Sequence, residues 1–157
     1  MAKEVERKFL VEGDGWRSLS EAAVPIRQFY LAASTGRSVR VRVNDGTSAV
    51  LTLKFGSHGR ERDEFEYPIP LEDAEELVEF AVGRVIEKTR HHIRHGGYLY
   101  EVDVFRGALA GLVIAELETP DTVPHAALPT WLGREVTGNS AFYNASLARH
   151  GLPVAVA

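Results

Sequence analysis

The sequence predicts a mostly antiparallel β domain, either a barrel or two facing sheets, with helices in the minority. Three observations carry this. Most of the chain alternates apolar and polar side chains with period two, the spacing of strands. Glycine-bearing turns at Asn44-Asp45-Gly46 and Gly96-Gly97 separate alternating runs, and such turns need the positive φ that glycine tolerates. About eight runs of strand length fit into 157 residues with no linker, low-complexity tract or internal repeat, a count that suits an all-β closed or double-layered architecture. One domain is therefore expected over residues 1–151, with a short apolar tail at 152–157.

Taken in order, residues 4–11 open with alternating charge, and residues 16–23 carry the pattern of a short helix. Strands follow at 26–32, 38–43 and 49–55, the last two joined by the Asp-Gly hairpin. A second hairpin around Gly56-Ser57-His58-Gly59 leads into a strand at 61–67. Pro70 and the acids after it begin a helix to Phe80, because proline suits the first helical turn and negative charge suits the N-terminus. Strands at 85–94 and 98–105 flank Gly96-Gly97, and one more runs over 112–119. A last helix is expected over 140–150, ended by Gly151.

Composition narrows the chemistry. Without cysteine there is no disulfide framework, thiolate nucleophile or cysteine-held metal, and a reducing cytoplasm is the expected setting. No stretch approaches the roughly 20 apolar residues of a membrane span, and the charged start at residues 2–8 does not read as a signal peptide. Eighteen basic against twenty-two acidic residues give a net charge of −4, which argues against a broad nucleic-acid surface. Any anion site must be a local concentration of charge.

The alternation supplies one. Side chains two apart share a strand face, so Glu4, Glu6 and Lys8 stand together, as do Arg40 and Arg42, Thr52 and Lys54, Arg62, Glu64 and Glu66, Lys88, Arg90, His92 and Arg94, and Glu116 with Glu118. The opposite faces carry Val39, Val41, Val43, Leu51, Leu53 and their like, suited to pack under helices. A sheet with one solvated charged face accounts for this pattern. So does a barrel turned inside out, charged within and apolar without. A dry interior of that kind is too costly; a wet tunnel holding an anion and cations is not. Paired glutamates suit a hard divalent cation such as magnesium, which takes one or two carboxylates plus substrate phosphates. Arginines and lysines suit the phosphates, whose transfer demands mainly positioning and charge neutralisation. There is no Gly-Lys-Ser or Gly-Lys-Thr phosphate loop.

Glu4-Val5-Glu6-Arg7-Lys8 resembles the ExExK signature of the CYTH superfamily, the triphosphate tunnel metalloenzymes. The resemblance continues in order through Gln28-Phe29-Tyr30-Leu31, Val39-Arg40-Val41-Arg42 and Leu51-Thr52-Leu53-Lys54. It extends through residues 62–70, Ile86-Glu87-Lys88-Thr89-Arg90, residues 101–105, Ala115-Glu116-Leu117-Glu118, Trp131-Leu132-Gly133 and Glu135-Val136-Thr137. It spans residues 3–148 and is nearest the short bacterial members.

What the resemblance implies is an α+β fold: an eight-stranded antiparallel β-barrel tunnel with a charged interior and a few flanking helices. It implies metal-dependent action on a triphosphate. Position by position, Glu4, Glu6, Glu116 and Glu118 would hold Mg2+ or Mn2+, and Arg40, Arg42, Lys54, Lys88 and Arg90 would bind the phosphate chain. Lys8 would touch substrate or orient a catalytic group, with Glu4, Glu6 and Tyr30 as its catalytic partners. Glu64, Glu66 and Asp103 would be supporting carboxylates, and Arg62 is the weakest transfer. The expected reaction is hydrolysis of tripolyphosphate or a nucleoside triphosphate to orthophosphate. The alternatives are a class IV adenylate cyclase and a non-catalytic polyphosphate- or nucleotide-binding module. The expected partner is a small-molecule triphosphate, not nucleic acid or membrane, and the resemblance also allows a homodimer.

Other residues invite readings that the pattern does not support. His91 and His92 point to opposite faces of a strand and cannot chelate together without a bend; relatives of this kind often carry an aromatic residue at position 91. Ser34, Ser48 and Ser57 lack a nucleophile-elbow context. Trp16 and Trp131 read as packing anchors. Residues 139–144 read as a helix cap and surface, with closure of one tunnel mouth as the other reading.

Overall fold

The computed structural model describes residues 2–56 and 61–153, with side chains from residue 5 onward. The strands are β1 (Ala2–Val11), β2 (Ala22–Ser34), β3 (Arg37–Asn44), β4 (Ser48–Phe55), β5 (Glu61–Ile69), β6 (Val82–His95), β7 (Tyr98–Phe105), β8 (Val113–Glu118) and β9 (Leu132–Glu135). Two α-helices, α1 (Leu71–Leu77) and α2 (Asn144–His150), stand among the described residues. The strands form one antiparallel sheet in the order β5-β4-β3-β2-β6-β7-β8-β1-β9, and a further β5–β1 pairing closes eight of them into a barrel. β9 lies outside that ring, on the edge of β1 opposite β8, since Phe9 faces Ala115 on one side and Glu135 on the other.

Local chemistry sets the hairpins. Asp45 and Gly46 both take positive φ (53° and 65°), the conformation that bends β3 back onto β4. The turn at Gly96-Gly97 joins β6 to β7 in the same way. The hairpin expected at 56–59 falls largely on residues outside those described; β4 and β5 on either side of it pair antiparallel.

The outer faces are apolar and covered. Ala74 of α1 is fully buried against Phe29, Val41, Val43 and Ala49. Trp16 packs with Ile93, Val102 and Ala115, and Trp131 bridges this cluster to Tyr100 and Leu117.

The inner face changes character along its length. Leu10 follows Lys8, Ile114 precedes Glu116, Phe105 follows Asp103 and Ile86 precedes Lys88, each on the same side of its strand. These inward apolar residues, with Tyr30, meet Phe142, Leu147 and Ala148 in one buried cluster. Residues 140–150 thus plug one end of the barrel. Gly83 permits the close crossing: it has φ 78°, and a Cβ there would lie 2.6 Å from the Ala148 carbonyl oxygen of α2. Leu147 has no exposed surface, so Leu147→Ala is expected to cost about 2–5 kcal/mol in urea unfolding. A loss below about 1 kcal/mol would mean the plug is not packed as described.

Several local expectations differ from the structure. Residues 16–23 form only a 3-10 turn at Arg17–Leu19, because ladder pairing with β6 begins at Ala22↔His92 and claims the chain for β2. The helix after Pro70 tightens to 3-10 geometry at Val78–Phe80. The last helix is split: Ser140–Phe142 is 3-10, Tyr143 is extended (ψ 140°), and α2 ends at Gly151 with φ 78°. β9 was not expected; four residues are too few to show an alternation. In the expected tail, Leu152 packs against the plug cluster, and residues 154–157 lie outside those described.

Candidate active site

Inside the barrel, beyond the plug, lies a cavity of about 230 Å³ whose facing residues are all charged except Asn144. Carboxylates come from Glu6 on β1, Glu64 and Glu66 on β5, Glu101 on β7, and Glu116 and Glu118 on β8. Cations come from Lys8, Arg40, Arg42, Lys54 and Arg90.

The strand order sorts them into walls. In the ring β1-β5-β4-β3-β2-β6-β7-β8, β8 stands opposite β3. Glu116 and Glu118 therefore face Arg40 and Arg42 across the tunnel. On the acidic wall, Glu6 is the cross-strand partner of Glu118, and Glu101 of Glu116. Like charges directly opposite each other are destabilising in a sheet, so this wall is built for a cation between them.

The proton inventory agrees. Burial, and next the charge of Glu116, push the Glu6 carboxyl up to about 8, and the two side chains are hydrogen-bonded. Burial also opposes charge on Glu116, but Lys8 and then Arg90 hold it well below the usual range. Glu6 thus keeps a proton at neutral pH where a metal ion would sit. The donors are hard oxygens, as magnesium or manganese requires. Among the described residues no three carboxylate or imidazole groups form a ready-made ion cage. The Glu6–Glu116 pair fits an ion that takes its remaining ligands from phosphate and water. Adding Mn2+ at pH 7 should then release close to one proton, and Mn2+ affinity should rise with pH until about 8 and level above it. Calorimetry in buffers of different ionisation enthalpy reads the proton directly; release of none would contradict a shared-proton pair.

The basic wall is short of counter-charge. Arg42 Nη2 is 3.5 Å from Glu66, Lys54 Nζ is 3.4 Å from Glu64, and Arg40 donates to Thr52 at 3.4 Å. The Nε atoms of both Arg40 and Arg42 are buried without a partner. Burial, with repulsion from Arg40 and Arg90, lowers the Arg42 pKa. Arg40 is raised against burial by Tyr30, to which it is hydrogen-bonded, and by Glu64. Buried cations in mutual repulsion, with donors to spare, make an anion site.

Arg90 joins the walls. Asp103 takes its guanidinium in a fork at 2.8 and 2.9 Å, and Glu101 lies 3.4 Å and Glu116 3.9 Å away. Burial opposes the Arg90 charge, but Asp103 above all holds its pKa well up. Asp103 also takes Lys88 Nζ at 2.7 Å. Lys88 and Asp103 are almost fully buried, and neither faces the cavity. Burial brings Lys88 down to about 8 against the pull of Asp103. Lys88 Nζ further donates to Asn144 Oδ1 at 3.4 Å, tying the plug to this network.

Of the sequence-predicted residues, the structure gathers Glu6, Lys8, Arg40, Arg42, Lys54, Glu64, Glu66, Arg90, Glu116 and Glu118 around one cavity. Lys88 and Asp103 do not line it; they lie on the same inner face, paired with each other at its plug end. Tyr30 is buried at the plug and lines a smaller adjoining chamber with Lys8. The Glu4 backbone pairs with Arg62 on β5, and its side chain lies outside those described. Lys8 Nζ donates to the Phe142 carbonyl at 3.4 Å. Two cavity residues were missed. Glu101 shares a face with Asp103, a signal the alternation carried. Asn144 arrives from the plug, in line with the reading in which residues 139–144 close a tunnel mouth, though not as a named site residue. His92 lies 3.7 Å from Glu101, whereas His91 packs edge-on against Trp16 and meets Ser20 Oγ at 2.9 Å.

A closed barrel of this topology with acid and base on facing inner walls defines a tunnel protein for polyanions, and comparison with known proteins gives it a family. The chain belongs to the CYTH domain family, whose model matches residues 2–151. It is 43% identical over 152 residues to the inorganic triphosphatase of Acetivibrio thermocellus, covering 96% of each chain. It is 38% identical over 149 residues to that of Nitrosomonas europaea, covering 92% of this chain and 96% of the other. The crystal structure of an inorganic triphosphatase superposes with a TM-score of 0.64 at 35% identity, over 94% of this chain and 95% of that one.

Proposed function

We propose that the protein is a divalent-metal-dependent triphosphatase that hydrolyses inorganic tripolyphosphate to release orthophosphate. The observation that carries this reading is the acidic β1–β8–β7 wall facing the Arg40–Arg42 wall across one wet cavity. Both triphosphatase relatives match almost end to end. Among the described residues no aromatic or aliphatic side chain faces the central cavity, which suits a bare phosphate chain better than a nucleotide base.

Glu6, Glu116 and Glu118, with Glu4 from the same strand face, would hold Mg2+ or Mn2+. An ion held there would supply charge neutralisation for the phosphates and a more acidic water for attack on phosphorus. Arg40, Arg42, Lys54 and Arg90 grip the chain and spread its charge in the transition state. Lys8, anchored by the Phe142 carbonyl, presents its ammonium to a phosphate oxygen beside Tyr30. Glu64 and Glu66 keep Lys54 and Arg42 aimed inward. Lys88 would add its ammonium to the phosphate site from the plug end, and Asp103 fixes the Arg90 guanidinium through its fork. A cytoplasmic setting suits a cysteine-free chain that acts on a small molecule.

Incubation with Mg2+ or Mn2+ and, separately, tripolyphosphate and ATP tests the reading. Orthophosphate is expected, faster from tripolyphosphate than from ATP. Cyclic AMP with pyrophosphate would make the protein an adenylate cyclase, and binding without product would make it a polyphosphate or nucleotide receptor.

A further inference from the structure

The central cavity has an annex. A chamber of about 80 Å³ lies between the plug at residues 143–145 and the β2–β3 turn and β4 end. It shares Lys8, Arg40, Lys54 and Asn144 with the central cavity, so the two meet there. Its own contributions are Arg37 and Arg62. Five cations thus face it, and among the described residues no carboxylate does. The contrast with the central cavity, where six described carboxylates face the space, is one of chemistry: no described residue here offers a metal ion a carboxylate.

Two buried polar atoms at this chamber lack partners. They are the Tyr143 phenol oxygen and Arg40 Nε. Arg62 lies 4.2 Å from the centre of the Tyr143 ring and Lys8 Nζ 5.6 Å from it, so the ring gathers cations on its faces. Buried hydrogen-bonding groups are seldom left unpaired; Lys54 has Glu64 at 3.4 Å, and a local excess of cations over counter-charge attracts an anion. The volume is that of two or three water molecules at roughly 30 Å³ each, enough for one tetrahedral oxyanion.

We propose that this chamber is a metal-independent phosphoryl subsite, which takes the end of the polyphosphate chain that projects past the carboxylate wall. The identity of the anion rests on the triphosphatase reading of the central cavity. The chain then lies with its metal-bound phosphates between the acidic and basic walls and its far end against Arg37, Arg62 and the Tyr143 hydroxyl. The same chemistry accepts free orthophosphate, giving the product a station away from the metal.

The test measures binding without turnover. Tripolyphosphate and, separately, orthophosphate are titrated by calorimetry in EDTA into the parent protein, Arg37→Gln, Arg62→Gln and the outer-surface control Arg17→Gln. Arg37 is exposed and Arg62 half-exposed, and matching melting curves verify the fold of each variant. Loss of a charged hydrogen bond predicts about tenfold weaker tripolyphosphate binding in both chamber variants, less than twofold in the control, and unchanged Mn2+ affinity. Parallel loss of orthophosphate binding assigns the subsite to free product as well; loss confined to tripolyphosphate assigns it to the chain end. Either supports the proposal. Unchanged tripolyphosphate affinity in the chamber variants, or an equal loss in the control, overturns it. Because no product is measured, failure here leaves the triphosphatase reading standing, and absence of hydrolysis leaves the binding result standing.

Discussion

Glu116→Gln is expected to lower turnover of tripolyphosphate by about 10²–10³ or more, while substrate binding without metal weakens little. The reason lies in what surrounds the carboxylate. Glu116 is charged because Lys8 and Arg90 face it, and it accepts the proton-bearing Glu6 as its neighbour. The amide keeps the size but loses the charge that a cation needs. It also removes the Glu116 charge that, after burial, raises the Glu6 pKa, and a melting curve checks that the fold survives the loss of its attraction for Lys8 and Arg90. The basic wall on β3 is untouched, so the anion still binds. Arg40→Ala should behave differently, weakening binding as well as turnover, because its guanidinium meets the phosphates in both ground and transition states. Steady-state kinetics at saturating and limiting Mn2+ separate the two variants. Full activity of Glu116→Gln at limiting metal would contradict its assignment as a ligand.

Asp103→Asn is expected to cause the largest loss of stability of any isosteric change, about 3–5 kcal/mol. Asp103 compensates two cations at once, Arg90 through a fork and Lys88 at 2.7 Å, and all three are buried. An asparagine leaves both cations in the wall with no carboxylate between them. Lys88, already brought down to about 8 by burial, would be pushed lower still. The double variant Asp103→Leu with Lys88→Met should recover part of the loss, since an apolar pair of similar volume suits a buried site better than a broken ion pair. Urea unfolding of the three proteins checks both statements. A loss under about 1 kcal/mol for Asp103→Asn would mean the network is wetter than its burial suggests.

Much of this was legible in the sequence, for a physical reason. Period-two alternation reports which residues share a face, so the sequence alone groups Arg40 with Arg42 and Glu116 with Glu118, as they stand in the barrel. Alternation cannot report what that face meets. Leu10, Ile114, Phe105 and Ile86 continue the charged series in phase, yet they meet the apolar plug instead of water. Lys88 shares the inner face with Arg90, as the alternation implies, and at the plug end of the barrel it meets Asp103 and Asn144. The strand ladder also overrode local preference where Glu21 and Ala22 turn into β2 beside His92. Asn144 had only the reading that residues 139–144 close a tunnel mouth: its place in the cavity depends on a segment more than a hundred residues from β1 folding back into the barrel.

The central claim is that cation and phosphate share the space between the two inner walls. A crystal of the protein with Mn2+ and a slowly hydrolysed triphosphate analogue, examined for anomalous scattering, tests it most directly. The expected result is an anomalous peak within bonding distance of Glu6 and Glu116, with a phosphate oxygen completing its shell and the chain reaching Arg40 and Arg42. Manganese bound only on the outer face of the barrel, or a chain that leaves the β3 arginines untouched, would contradict the account.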